Sequence, residues 1–164
     1  MFPLAIYQLA ESTINLFRDA GKTIGTVESC TGGLVAGALT EVPGSSDVFV
    51  GGVIAYANRI KNEQAEVPKG ILTAHGAVSE DTARAMAIGG KRRLNIDVVV
   101  AVTGVAGPEG GSNEKPVGLV HIAAAGPHGV LHQRHLFSGD REAIRIASVE
   151  GALQLARAAL EAKA

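Results

Sequence analysis

One cysteine, Cys30, occurs in 164 residues. That count excludes an internal disulfide framework and gives no support for a multi-cysteine zinc site, so a reducing compartment fits best. An excess of charge of either sign is also missing: 15 Lys and Arg stand against 16 Asp and Glu, a net charge of -1. Without a global basic field, nucleic acid and anionic membrane are not expected partners, although a local basic pocket is allowed. No apolar run reaches the roughly 18 residues that span a bilayer, and the N-terminus lacks a basic region followed by a small-residue cleavage site. The expected location is the cytoplasm. Aromatic residues are scarce at 4 %, with no tryptophan, whereas glycine is abundant at 21. The glycines cluster at 32-33, 51-52, 89-90 and 104-107-110-111, which points to tight turns and close backbone approach rather than a linker.

The length suits one domain over 1–164, which at this size buries about two-thirds of its unfolded surface. Apolar residues at Ile6, Leu9, Ala10, Ile14 and Phe17 recur with a helical period and predict a helix over 4–19, ending at Gly21. Residues 23–27 read as a short strand and 34–40 as a helix. A second strand over 48–56 carries Gly51-Gly52, the mark of a bulge or of close backbone approach. Asn58 is placed to cap a short helix, and Ser79 with Glu80 and Asp81 to open one that runs to 94. The apolar run 98–102 predicts a strand buried on both faces. Residues 117–125 and 130–137 form a hairpin around Gly126-Pro127-His128-Gly129. Asp140 can cap a last helix with Ile144, Ala147, Gly151, Leu155 and Ala158 as its stripe. The expected fold is a single three-layer α/β/α domain with a mixed sheet ending in an antiparallel hairpin.

Ligands collect at the carboxyl ends of parallel strands in such sheets. If the first three strands are parallel, residues 28–33, 56–61 and 103–112 meet there. The first segment sets Ser29, Cys30 and Thr31 before a helix, with Gly32 and Gly33 free to present backbone N–H groups to an anion or oxyanion. The second holds Tyr56, Asn58 and Lys61; the lysine reads either as a solvated helix residue or, with a lowered pKa, as base for a serine, with a tyrosine to relay the proton. Ser29 and Cys30 compete as nucleophile, because strand alternation sends neighbours to opposite sides. Ser45 and Ser46 either form a plain turn or bring Ser46 into the site. The third segment, with Thr103, Gly104 and Gly107, lacks the Gly-Lys-Ser/Thr ending of a nucleoside triphosphate loop and reads as a phosphate cradle, a lid or a plain loop. Arg141 and Arg145 share one helix face, fit for phosphate or for solvent. The five histidines form no helical ligand pair, and no metal site or cofactor is expected.

The stretches VESCTGG (27–33), PGSS (43–46), YANRIK (56–61), HGAVS (75–79), TGVAGPEGGSNEKPVG (103–118) and GDR (139–141) resemble, in order and spacing, the signature of the CinA C-terminal domain family. One departure falls at 65–67, Ala-Glu-Val where the family pattern has Leu-Gly-Val. The resemblance implies hydrolysis of nicotinamide mononucleotide to nicotinate mononucleotide and ammonia, within pyridine nucleotide recycling. It implies Ser29 and Lys61 as nucleophile and base, with Ser46 able to exchange roles with Ser29. It further implies Tyr56 assisting, and Thr103 and Arg145 near the nucleotide. The competing expectation is a non-catalytic module that holds a nucleotide phosphate, tied to the competence and damage contexts in the family's name. A phosphatase is disfavoured, because carboxylate and metal-ligand clusters are missing. An exposed hairpin edge and small-residue helices suggest a homodimer.

Overall fold

The computed structural model describes residues 2–164. Five strands, β1 (Ile24–Glu28), β2 (Phe49–Ile54), β3 (Val98–Gly104), β4 (Leu119–Gly126) and β5 (Gly129–Leu136), form one sheet in the order β2-β1-β3-β4-β5. β2, β1 and β3 run parallel, and β4 and β5 complete the sheet as an antiparallel hairpin closed at Gly126 and Gly129. Six helices cover it: α1 (Leu4–Asp19), α2 (Leu34–Thr40), α3 (Asn58–Glu63), α4 (Lys69–His75), α5 (Glu80–Leu94) and α6 (Arg141–Glu161). The mixed α/β fold anticipated from the strand and helix pattern is the one observed.

Alternation along the strands divides the core into two layers. Val98, Val100 and Val102 of β3, with Val120, Ile122 and Ala124 of β4, face Ile14, Phe17, Val149 and Leu153 of α1 and α6. Val99, Ala101, Ala123 and Ala125 face the other way, onto Ala83, Met86 and Ala87 of α5. Burying both faces explains the uninterrupted apolar run of β3. α6 is enclosed more broadly than the single expected stripe. Ser148, Val149, Ala152, Leu153 and Ala156 are buried alongside Ile144, Gly151 and Leu155, whereas Ala158 is exposed, because α6 meets the sheet, α1 and α2 together.

Local signals set most boundaries. The Ser79 hydroxyl accepts the Thr82 N–H at 3.1 Å and the Asp140 carboxylate accepts the Ala143 N–H at 2.9 Å, both as side-chain N-caps. Asn58 is not a cap: it is the first residue of α3, and Ala57 precedes it without a side-chain cap bond. At Gly51-Gly52 both expected features occur. The pairing register slips between Ile24 and Gly25, leaving Val50 unmatched, and a Cβ at Gly52 would collide with the Thr26 hydroxyl. The short helix α4 was not foreseen, and none of its residues is buried. Among the described residues no helix is long and apolar enough to cross a membrane.

Candidate active site

The ends of β1 and β3 and the segment after β2 bound a cavity of about 300 Å³ at the carboxyl edge of the parallel strands, at the small end of ligand clefts. Ser29, Lys61, Tyr56, Thr103, Gly104, Gly107 and Arg141 line it, as does Cys30. All three segments expected at this edge contribute.

β1 ends at Glu28, one residue later than expected, and alternation then separates the three residues that follow one another. Ser29 points with Val27 toward the α5 side, whereas Glu28 and Cys30 point toward α2 and α6. The main chain at Ser29 is clamped in the sheet edge. Its N–H donates to Val102 O at 2.9 Å, and the carbonyl of Glu28 accepts the Ala55 N–H at 2.7 Å.

Lys61 comes from α3 and is only 1 % exposed. Its ammonium donates to Ser29 Oγ at 2.8 Å, to the Ala55 carbonyl at 2.8 Å and to the Tyr56 carbonyl at 3.0 Å. Every acceptor is neutral, so nothing offsets desolvation by a carboxylate, and burial pulls the amine from its ordinary 10.5 down to about 8. A neutral Lys61 spends its two hydrogens on the two carbonyls and turns its lone pair to the Ser29 hydroxyl. That is the arrangement of a serine nucleophile with a lysine base.

Cys30 has no comparable partner. Burial pushes its thiol up to about 11, which leaves little thiolate near neutrality. Its backbone N–H, by contrast, donates to no other residue among the described residues, its one contact being the Cys30 sulfur itself. The amide after a nucleophile is a common oxyanion donor.

Several expected groups are placed differently. The amides of the glycine pair are already committed, Gly32 N–H to Ser29 O at 3.0 Å and Gly33 N–H to the Glu28 carboxylate at 3.0 Å. The positive φ of both glycines, 60° and 98°, lets the turn fold back on itself rather than open toward the cavity. Thr31 is fully buried outside the cavity lining. Arg145 is spent on the turn, donating to the carbonyls of Cys30 at 3.1 Å and Thr31 at 2.9 Å. Arg141, one turn earlier on α6, reaches the cavity mouth instead, where it donates to Gly107 O at 2.6 Å and to the Tyr56 hydroxyl at 3.4 Å. The Tyr56 ring is therefore a rim group, and only its carbonyl meets Lys61. Thr103 donates its hydroxyl to Ala77 O at 2.7 Å, tying down the Ala77-Val78 wall. Ser46 is exposed in the turn Ser45–Asp47 before β2. Because β2 runs parallel to β1, that turn lies at the opposite edge from Ser29, about one strand length of 20 Å away.

Two features carried no functional reading in advance. The wall at Ala77 and Val78 lies in the HGAVS stretch, whose unusual composition was the available signal. The capping role of Glu28 had no signal beyond its place beside Ser29.

An open α/β sheet with a buried serine-lysine pair at the carboxyl edge of its parallel strands defines the class: a three-layer α/β protein with a mixed five-stranded sheet. The comparisons place the chain within that class. Residues 6–160 match the CinA C-terminal domain model, and the chain belongs to that family. It is 54 % identical over 152 residues to a CinA-like protein of Synechococcus sp. strain RCC307, covering 91 % of this chain and 36 % of that one. A CinA-like protein of Geotalea uraniireducens is 48 % identical over 80 % of this chain and 31 % of its own length. The chain thus spans about a third of these curated relatives. Among solved structures, the competence/damage inducible protein CihA from Agrobacterium tumefaciens superposes with a TM-score of 0.92 at 47 % identity, over 94 % of this chain and 95 % of that one. A CinA superfamily protein from Klebsiella pneumoniae gives 0.89 at 30 % identity, over 93 % and 95 %.

Proposed function

We propose that the chain hydrolyses the carboxamide of nicotinamide mononucleotide to nicotinate mononucleotide and ammonia. The observation that supports this reading best is the 2.8 Å hydrogen bond between Ser29 and a lysine buried without a counter-ion. Neutral Lys61 takes the hydroxyl proton as Ser29 Oγ attacks the carboxamide carbon. The Cys30 N–H, which donates to no other residue among those described, is the amide next to the nucleophile that can meet the developing oxyanion. The Lys61 ammonium returns the proton to the departing nitrogen, ammonia leaves, and an ester to Ser29 remains. Water, deprotonated by the same amine, then attacks the ester and restores the Ser29 hydroxyl. Arg141 at the mouth offers a cation for the 5′-phosphate, and Glu109 on the rim complements the positive pyridinium ring.

A module that only binds a nucleotide phosphate has no use for a base aimed at a serine. The reading extends to a cytoplasmic homodimer formed over an exposed sheet edge, which light scattering on the purified chain would measure. The decisive assay is ammonia release from nicotinamide, its riboside and its mononucleotide. Turnover is expected for the mononucleotide and lost in folded Ser29→Ala. Tight binding with no ammonia would favour the passive module, and normal turnover in Ser29→Ala would overturn the mechanism.

A further inference from the structure

We infer that Glu28 is a positioning residue for Ser29, acting on the nucleophile's turn from the side away from the cavity; this rests on the amidohydrolase reading above. Glu28 is 1 % exposed, yet all the partners of its carboxylate are backbone amides. One oxygen, Oε2, accepts the N–H groups of Gly33 and Val35 at 3.0 Å each, and Oε1 accepts that of Ala36 at 2.9 Å. Gly33 has no side chain with which to cap α2, so the cap is supplied from five residues upstream. The negative charge is met by charge-assisted amide bonds at the positive end of the helix.

This contact closes a backbone ring over residues 28–36, with Ser29 and Cys30 inside it. Other bonds hold the same ring: Ser29 O accepts the Gly32 N–H, and Arg145 grips the carbonyls of Cys30 and Thr31. Two consequences bear on chemistry. The Ser29 Oγ is fixed at hydrogen-bonding distance from Lys61, and the Gly33 amide is drawn off to the Glu28 carboxylate and away from the cavity. Misplacement of a reacting group by 1 Å costs about a hundredfold in rate. A cap that sets this turn therefore acts on kcat while touching neither substrate nor base.

The three bonds use both oxygens of a carboxylate, which makes Glu28→Gln informative. An amide has one acceptor oxygen and one donor NH₂. Either orientation turns that NH₂ against at least one backbone N–H. In Glu28→Gln, kcat for ammonia release per titrated active site is expected to fall about a hundredfold, with KM within threefold and the acid limb of the pH profile unmoved. Phosphonylation of Ser29 by a fluorophosphonate, in which Oγ displaces fluoride from phosphorus, should slow in parallel. A folded variant whose titrated sites turn over within threefold of the parent would overturn the assignment, since a merely structural cap lowers the number of active sites and not their rate. If Glu28→Gln does not fold, Glu28→Asp carries the test: it keeps the charge and withdraws the carboxylate by one methylene. A drop of about tenfold in kcat at constant KM would support positioning, and an unchanged kcat would overturn it. Failure of both variants to fold would also overturn it, in favour of a folding role alone. If the parent is phosphonylated at Ser29 but releases no ammonia, slower phosphonylation in Glu28→Gln still supports the positioning role while the amidohydrolase reading falls.

Discussion

Replacing Lys61 by methionine removes a buried charge and keeps most of its volume. In the fold, burial lowers this amine from 10.5 to about 8, so between those values the unfolded chain holds a proton that the folded chain has lost. Stability then rises with pH across the window. Below pH 8 the cost of the buried ammonium is fully present, and above 10.5 it has gone. The gap corresponds to about 3 kcal/mol. Cys30 works in the opposite sense: its thiol moves from 9.0 to about 11, so stability falls with pH between those values. Both chains keep Cys30, and the difference between Lys61→Met and the parent reports the lysine together with its coulombic coupling to Cys30. Urea unfolding at intervals from pH 7 to 10.5 should show the variant losing about 3 kcal/mol relative to the parent above pH 8. The absolute offset also contains the loss of hydrogen bonds to the carbonyls of Ala55 and Tyr56, about 1–3 kcal/mol each, so the slope is the test. The same variant should lose at least about a thousandfold in turnover. In the parent, kcat/KM should rise about tenfold per pH unit up to about 8, as the free amine forms. A flat difference curve, or turnover in Lys61→Met within tenfold of the parent, would refute the role of a buried base.

Arg141→Met should raise KM about tenfold or more for the mononucleotide, from the loss of a charged hydrogen bond of about 1.5–3 kcal/mol, with the riboside unaffected; equal losses on both would remove Arg141 from phosphate binding. The native Cys30 thiol should react with iodoacetamide at pH 8 about a hundredfold more slowly than in denaturant, following its thiolate fraction, and rapid stoichiometric labelling of the folded chain would contradict its burial. Glu66 sits at φ 55°, in the left-handed region that favours glycine. Glu66→Gly should therefore stabilise by about 1 kcal/mol even after losing the ion pair to Arg92. An unchanged or lowered melting temperature would show that the ion pair outweighs the strain.

Much of the architecture was legible because its causes are short-range. The run Val98–Val102, the glycine-bounded turn between β4 and β5, and the caps at Ser79 and Asp140 each depend on residues within a few positions of one another. The helix α4 escaped because it is only seven residues long and rests on the core through two partly buried residues, Ile71 and Leu72, too few to show a period. The meeting of three segments at one sheet edge was also legible, since it follows from strand direction. Their internal pairing was not. Arg141 and Arg145 lie on one helix face, yet one reaches the cavity mouth and the other the back of the turn. The Gly32-Gly33 amides looked open in a one-dimensional motif and are occupied in three dimensions. Ser46 and Ser29 share a neighbourhood in sequence logic but lie at opposite ends of parallel strands.

By itself the sequence determined the element types apart from α4, the mixed sheet with its hairpin edge, and three of the segments that meet around Ser29. These follow from periodicity, turn chemistry and caps, all local properties. Only the tertiary structure decided which donor meets which acceptor and how dry the site is. Lys61 reaches Ser29 across 32 positions and Arg145 reaches Cys30 across 115. Burial, which turns an ordinary lysine into a candidate base, exists only once those distant segments have packed.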